Sequence, residues 1–357
     1  MTTHSEQPRD VLVQVYGRTD VGRSREHNED SFLVADLSSG QLALDDRLAE
    51  HPLGNRGTIF MVADGLGGAA SGEIASRMAV DVVLTELRKR WVGTGANDPS
   101  AFAAALKGAT EAANARIHTY AVQHPEHRGM GTTATIAGLL GDTLYVVQIG
   151  DSRAYLLRNG VLQQITKDQS LMQRLVEAGE ITIEEAELSE RRNIILQALG
   201  PEGAVKIDLT HQPIRRGDAL VLCTDGLSGL IKRDDIARIA TEEPDLRTAC
   251  DKLVDLANEN GGPDNITVVI ARFFGGGLRR ATDEDSVGHT VYSISGLMGE
   301  ATPPHAMPRA GASPATSPAP SSTPPRPIPF IARGNTPYIL AFVATLLIAI
   351  YLLLAKL

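Results

Sequence analysis

A series of short runs along the chain is dominated by β-branched and aliphatic residues, each ending near Gly, Asp or Asn: VLVQVYG, SFLVAD, TIFMVAD, TTATIAGLLG, TLYVVQIGD, RAYLLRNG, VKIDLTHQPI, ALVLCTD and NITVVIARFF. Such runs predict strands closed by turns. Residues 70–90 and 99–122 instead repeat apolar positions at helical spacing, as in Ile74, Met78, Val82 and Leu87, and predict two long helices. Further helices are expected near 169–178 and 246–260. Strands fall in adjacent hairpins and helices in pairs, without regular strand-helix alternation. The pattern therefore predicts a layered α+β sandwich rather than a doubly wound parallel sheet.

The pattern changes after residue 274. Residues 275–299 are a polar transition, and residues 300–330, including PRAGASPATSPAPSSTPPRPIP, are too rich in Pro, Ser and Ala to bury a core. From Gly334 to Ala355 no residue is charged, and YILAFVATLLIAIYLLLA would span about 27 Å as a helix at ~1.5 Å per residue, close to the hydrocarbon thickness of a bilayer. The expected organisation is a folded domain over residues 8–274, a disordered linker over 275–336 and a transmembrane helix over 337–356. A helix at that place inserts after synthesis and leaves the domain on the cytoplasmic side of the cell membrane as a single-pass C-terminal anchor. Arg326 and Arg333 on the entry side agree with that orientation, while Lys356 weakens the contrast. The polar start MTTHSEQPRD shows no secretory signal.

Composition narrows the function. With 357 residues, 43% hydrophobic, the chain has ample material for a core. Its formal charge of -9 and the lack of a basic stretch with interleaved aromatics argue against nucleic acid as a partner. Two cysteines, Cys223 and Cys250, make neither a disulfide framework nor a zinc site. Cys223 falls in the apolar run ALVLCTD, where a thiol acts as a small buried hydrophobe.

Acidic residues recur where the strand runs end. Asp64 closes one in VADGLGG, Asp151 another in IGDSRA, Asp225 a third in LCTDGL; Asp264 opens a fourth in GPDNIT, and Glu29 and Asp30 precede SFLVAD. Each Asp-Gly pair alone is an ordinary turn signal. Together they can converge on one rim of a sheet sandwich, where carboxylates repel unless a cation lies between them. Donors that are all oxygen select a hard divalent ion, magnesium or manganese, and no loop of the EF-hand type favours calcium. Glycine after Asp64 and Asp225 is expected to clear space for an ion, with the Gly65 carbonyl as a further ligand.

The segments DVGRSREHNEDSF, VADGLGG, GTTAT, VVQIGDSRAYLLRNG, ITKDQSL, NIILQALG, LCTDGL and GGPDNITVVIARF occur in order and spacing that resemble the PPM family of metal-dependent serine/threonine protein phosphatases, most closely its bacterial branch. The resemblance implies a four-layer α-β-β-α sandwich, two antiparallel sheets flanked by helices. It also implies hydrolysis of phosphoserine and phosphothreonine in proteins by a water activated between two Mn2+ or Mg2+ ions. Asp64 would bridge the ions, Asp225 and Asp264 would complete one site, and Glu29 with the Gly65 carbonyl the other. Asp151 with Asp225 would match a third, weaker site. Asp30 would orient the attacking water, Arg25 would grip the phosphoryl group, and Asn265 would fix the Asp264 loop.

The sequence departs from the family in several places. Leu66 stands where many eukaryotic relatives have His, Gln169 replaces the His of a usual DHSL, and SERRN replaces a His-Pro pair at the tip of a segment, 168–196, that resembles a flap over the site. Residues 36–57 are longer than the connection requires and read as a surface insertion. Two alternatives stand beside the enzyme reading: a membrane-tethered pseudophosphatase that binds phosphoproteins without turnover, and a hydrolase of small phosphate esters. A bacterial phosphatase of this type is expected to act on phosphorylated proteins, a serine/threonine kinase among them.

Overall fold

The computed structural model describes residues 10–40, 49–67, 71–189 and 191–294. The transmembrane helix expected over 337–356 and the Pro-rich part of the linker lie outside the described residues. Among the described residues no helix is long and apolar enough to cross a membrane.

In chain order the strands are β1 (Leu12–Asp20), β2 (Ser31–Asp36), β3 (Ala49–Pro52), β4 (Thr58–Ala63), β5 (Gly65–Leu66), β6 (Gly131–Thr132), β7 (Ala134–Leu140), β8 (Thr143–Ile149), β9 (Arg153–Arg158), β10 (Val161–Gln164), β11 (Asp208–Pro213), β12 (Ala219–Cys223) and β13 (Ile266–Phe274). The helices are α1 (Ser71–Arg90), α2 (Pro99–Gln123), α3 (Leu171–Glu177), α4 (Ile183–Leu188), α5 (Asp225–Ser228), α6 (Arg233–Glu242) and α7 (Leu246–Glu259). One sheet runs β10-β9-β12-β13-β1-β3 and a second β11-β8-β7-β4-β2, with β5 and β6 paired beside them. Every pairing between these strands is antiparallel.

Side-chain alternation sorts the strands into layers. In β4, Phe60 and Val62 face the other sheet, where they join Leu220, Leu222, Val269 and Phe273. Its neighbours Ile59, Met61 and Ala63 face the helices, packing with Ala75, Ala79, Val83 and Leu87 of α1. All six residues of β4 are buried, as a strand covered on both faces requires. On the far side, Val221, Cys223, Val268 and Ile270 meet Ala249, Cys250, Leu253 and Ala257 of α7. Three apolar layers thus separate helix, sheet, sheet and helix, the predicted α+β architecture.

Several helix ends are set locally. Asp98 caps α2 by accepting from the Ala101 amide, with Pro99 in its first turn, and Asp245 caps α7 by accepting from the Thr248 amide. In α1 the apolar stripe centres on Ala75, Ala79, Val83 and Leu87, while Ile74, Met78 and Val82 are the half-buried shoulders of that stripe. Helix α6 and strand β10 were not expected from the sequence; β10 has the pattern of a half-exposed edge strand, with Val161 and Gln163 outward.

Two segments differ from expectation. Part of the 36–57 insertion forms β3, which pairs with β1 and extends the first sheet. The chain after residue 274 does not leave the domain at once, although its polarity predicts a linker. The Asp285 carboxylate accepts from Arg215 at 2.8–3.0 Å and from Arg279 at 2.6 Å, beside the buried Arg158–Asp218 ion pair at 2.6 Å. Val291 then bridges Thr210 on the edge of β11, and the Tyr292 ring packs edge-on against Tyr145. Asp208, to which the sequence assigned no role, meets His289 at 2.6 Å. Polarity alone was misleading because this strap is held by ion pairs and backbone bonds as much as by apolar burial.

Candidate metal centre

Antiparallel register sends the acidic turns to one rim. Ser31 lies opposite Ala63, so Glu29 and Asp30 before β2 lie at the end of β4 that carries Asp64 and Gly65. Val62 lies opposite Thr135, and Ala134 opposite Ile149, so β7 starts and β8 ends at that rim, delivering Asp151. In the other sheet the Thr224 amide donates to the Thr267 carbonyl where β12 ends and β13 begins, so Asp225 and Asp264 emerge together. The two sheets meet at this rim through Asp30, whose Oδ2 accepts from Thr224 Oγ1 at 2.9 Å and Thr267 Oγ1 at 2.6 Å.

The glycines serve this convergence differently from the expected clearing of space. A Cβ on Gly65 would fall 2.3 Å from the Gly72 carbonyl oxygen and 2.6 Å from that of Glu29. One on Gly226 would fall 2.0 Å from the Asn265 carbonyl oxygen, and one on Gly22, at φ +78°, 2.1 Å from that of Asp264. Each is a backbone-to-backbone approach between acid-bearing turns that any side chain would push apart. Asn265 completes the lacing: its Oδ1 accepts from the Glu29 amide at 2.8 Å, and its Nδ2 donates to the carbonyls of Val21 and His27 at 3.0 and 2.9 Å.

The predicted acids are brought into one electrostatic cluster. Burial, then the charge of Asp264, raises the Asp225 carboxyl above its ordinary range. Burial, then the charges of Asp30, Asp225, Asp151 and Asp264, push the Asp64 carboxyl well above its ordinary range. Burial also lifts Asp30 to about 7, against hydrogen bonds from Thr267 and Thr224, and lifts Asp151 to about 7, with Asp225 and Asp168 adding to it. Glu29 is raised by burial, partly offset by Arg25, with Asp264 and Glu73 raising it further. Arg25 extends over the cluster, half exposed, its Nη2 2.9 Å from Asp264 Oδ2.

The donor set fits a hard divalent ion. Asp30 Oδ1 and Asp151 Oδ1 are buried without a hydrogen-bond partner among the described residues. A cation would relieve both their isolation and the mutual repulsion. Among the described residues no three acidic, histidine or cysteine side chains are drawn tightly enough to enclose an ion by themselves.

Sequence reasoning passed over the hydroxyls that frame the acids. Thr133 Oγ1 accepts from the Asp64 amide at 2.9 Å and lies 2.7 Å from Ser152 Oγ, linking the Asp64 and Asp151 turns. Thr132 Oγ1 donates to the Asp64 carbonyl at 2.8 Å. GTTAT and IGDSRA carried the signal, as hydroxyl residues beside strand ends. Arg153, bidentate on Asp168, and Gln169, whose Oε1 accepts from the Gly150 amide at 3.0 Å, root the 168–196 segment beside Asp151. Leu171 and Leu196 close its base by backbone bonds to Ile194 and Gln169.

Residues 36–267 match the model of the Protein phosphatase 2C family. The chain belongs to the protein phosphatase 2C family. As a protein phosphatase 2C it is a serine/threonine protein phosphatase. It is 35% identical over 253 residues to the serine/threonine phosphatase stp of Listeria monocytogenes, covering 71% of this chain and 93% of that one. It resembles the structure of the S. agalactiae serine/threonine phosphatase at TM-score 0.63 and 32% identity, covering 73% of this chain and 99% of that one. The catalytic domain of the serine/threonine protein phosphatase PstP, in complex with two manganese ions, matches at TM-score 0.60 and 34% identity, over 74% of this chain and 99% of that one. The phosphatase 2C match begins at Asp36, so Arg25, Glu29 and Asp30 join the site through geometry rather than through that match.

The raised acids give the metal-free phosphatase a defined pH response. A carboxyl whose folded pKa lies above its unfolded value contributes stability at low pH that is lost as pH rises from ~4 through ~7. Asp151→Asn removes one such group. In EDTA, the stability of the variant relative to wild type is expected to rise by on the order of 1–3 kcal/mol between pH 5 and pH 8 in urea unfolding. An equal offset at both pH values would show that burial and its acidic neighbours do not raise Asp151.

Proposed function

We propose that this phosphatase hydrolyses phosphoserine and phosphothreonine with two divalent ions held by Glu29, the Gly65 carbonyl, Asp64, Asp225 and Asp264, with Asp151 and Asp225 offering a third, weaker position. The buried cluster of Asp30, Asp151, Asp225 and Asp264 around Asp64, with Asp30 Oδ1 and Asp151 Oδ1 left without a partner among the described residues, carries this reading, since a cation is the natural neutraliser of such a cluster. Divalent ions supply Lewis acidity and a nucleophilic water near neutral pH. The chain's own groups then orient the reaction. Asp30 Oδ1, buried and without a partner among the described residues, would align the attacking water with the phosphorus. Arg25 swings from Asp264 to two equatorial phosphoryl oxygens, where its planar fork offsets charge that grows as the ester bond breaks. Substrates are phosphorylated proteins, a reading supported by the serine/threonine phosphatases that the chain resembles.

The membrane anchor and the kinase connection belong to the same reading. The uncharged stretch from Gly334 to Ala355 supports a C-terminal anchor, and the Pro-rich segment before it supports a tether that leaves the domain facing the cytoplasm. Held there, the domain would work beside membrane-bound serine/threonine kinases and reverse their phosphorylation.

Phosphate release from a phosphothreonine peptide is expected to require manganese or magnesium and to fall by at least ~100-fold in Asp64→Asn. Peptide binding without release would favour the pseudophosphatase, and faster turnover of a nucleotide or sugar phosphate than of the peptide would favour a small-ester hydrolase. Deleting residues 334–357 is expected to move the protein from the membrane to the soluble fraction with its rate on a soluble peptide unchanged. Retention in the membrane fraction would refute the anchor.

A further inference from the structure

Asp30 belongs to the second sheet, at the start of β2, yet both hydroxyls on its Oδ2 come from the first sheet, Thr224 at the end of β12 and Thr267 in β13. The direction of each bond is fixed. Thr267 has one hydroxyl proton and gives it to Asp30, so the contact of 2.7 Å between Thr19 Oγ1 and Thr267 Oγ1 has Thr19 as donor. Asn28 Nδ2 then donates to Thr19 Oγ1 at 2.8 Å, and the Thr267 amide donates to Thr224 Oγ1 at 3.1 Å. A one-way chain from Asn28 through Thr19 and Thr267 ends on one oxygen of Asp30. The other oxygen, Oδ1, is left buried and without a partner among the described residues.

We propose that Thr224 and Thr267 are positioning residues of the phosphatase: by holding Asp30 Oδ2 from the opposite sheet they fix the rotamer that points Oδ1 at the attacking water. The inference rests on the role given to Asp30 above. The clamp also ties the half-site of Glu29 and Asp64 to that of Asp225 and Asp264, since its donors flank the latter pair in sequence. Threonine is suited to the task because its methyl group fills the buried rim while its hydroxyl donates; serine keeps the donor, and valine keeps the shape without it.

The test uses the full chain as wild type, Thr267→Val, Thr224→Val, Thr267→Ser and Asp30→Asn. For each variant, kcat and KM are measured on a phosphothreonine peptide, and manganese affinity and stoichiometry by calorimetric titration of the metal-stripped protein. Thr267→Val and Thr224→Val are expected to lower kcat ~10- to ~100-fold, with KM and manganese affinity within about threefold of wild type. Thr267→Ser is expected to stay within about threefold in kcat, a rescue that packing alone would not give. If Asp30→Asn is inactive while both folded valine variants keep wild-type kcat, the positioning role is wrong and the assignment of Asp30 survives. If Asp30→Asn keeps wild-type kcat, the assignment of Asp30 falls and the inference with it. Should Thr267→Val fail to fold, Thr224→Val decides alone.

Discussion

Like charges held together by a rigid frame are the constraint on which the rest of the structure depends. Free carboxylates would separate, yet here those of Asp64, Asp225, Asp30, Asp151 and Asp264 are fixed near one another because each is bound to the end of a strand whose register is set far from the rim. Burial of Phe60, Val62, Leu220, Leu222, Val269 and Phe273 between the sheets supplies that frame. Burial first, and then that enforced proximity, raises the carboxyl pKa values of Asp64, Asp30, Asp151 and Asp225. A cation converts that repulsion into binding energy, so metal affinity and local strain are two aspects of one arrangement.

The frame alone does not place oxygens to the accuracy that chemistry requires. Glycines at 22, 65 and 226 allow turns from distant parts of the chain to meet backbone to backbone, and Asn265 laces three of those segments together. Hydroxyls then orient individual groups: Thr133 on the Asp64 turn, Thr224 and Thr267 on Asp30. Polar networks of this kind specify one geometry because each partner left unmatched in the interior is costly.

Much of this was legible in the sequence. Strands covered on both faces, such as β4 and β13, read as continuous apolar runs, and the acids at their ends mark one rim once antiparallel pairing is assumed. What escaped notice had weaker local signals. Strand β10 has only four residues, and the glycines' role as contact points depends on which turns meet in space, as Gly22 meets Asp264 from the other end of the domain, which no local pattern encodes. Thr224 and Thr267 are ordinary strand residues until Asp30 is seen opposite them. The strap through Tyr292 was misread because its polar side chains find partners on the domain, and polarity without a partner looks the same in sequence as polarity with one.

The central claim is that acids from both sheets share a pair of hard cations around Asp64. Anomalous diffraction at the manganese edge, from crystals grown with manganese, tests it most directly. The account predicts two peaks about 3.5–4 Å apart flanking the Asp64 carboxylate; a single peak, or peaks remote from Asp64, would contradict it.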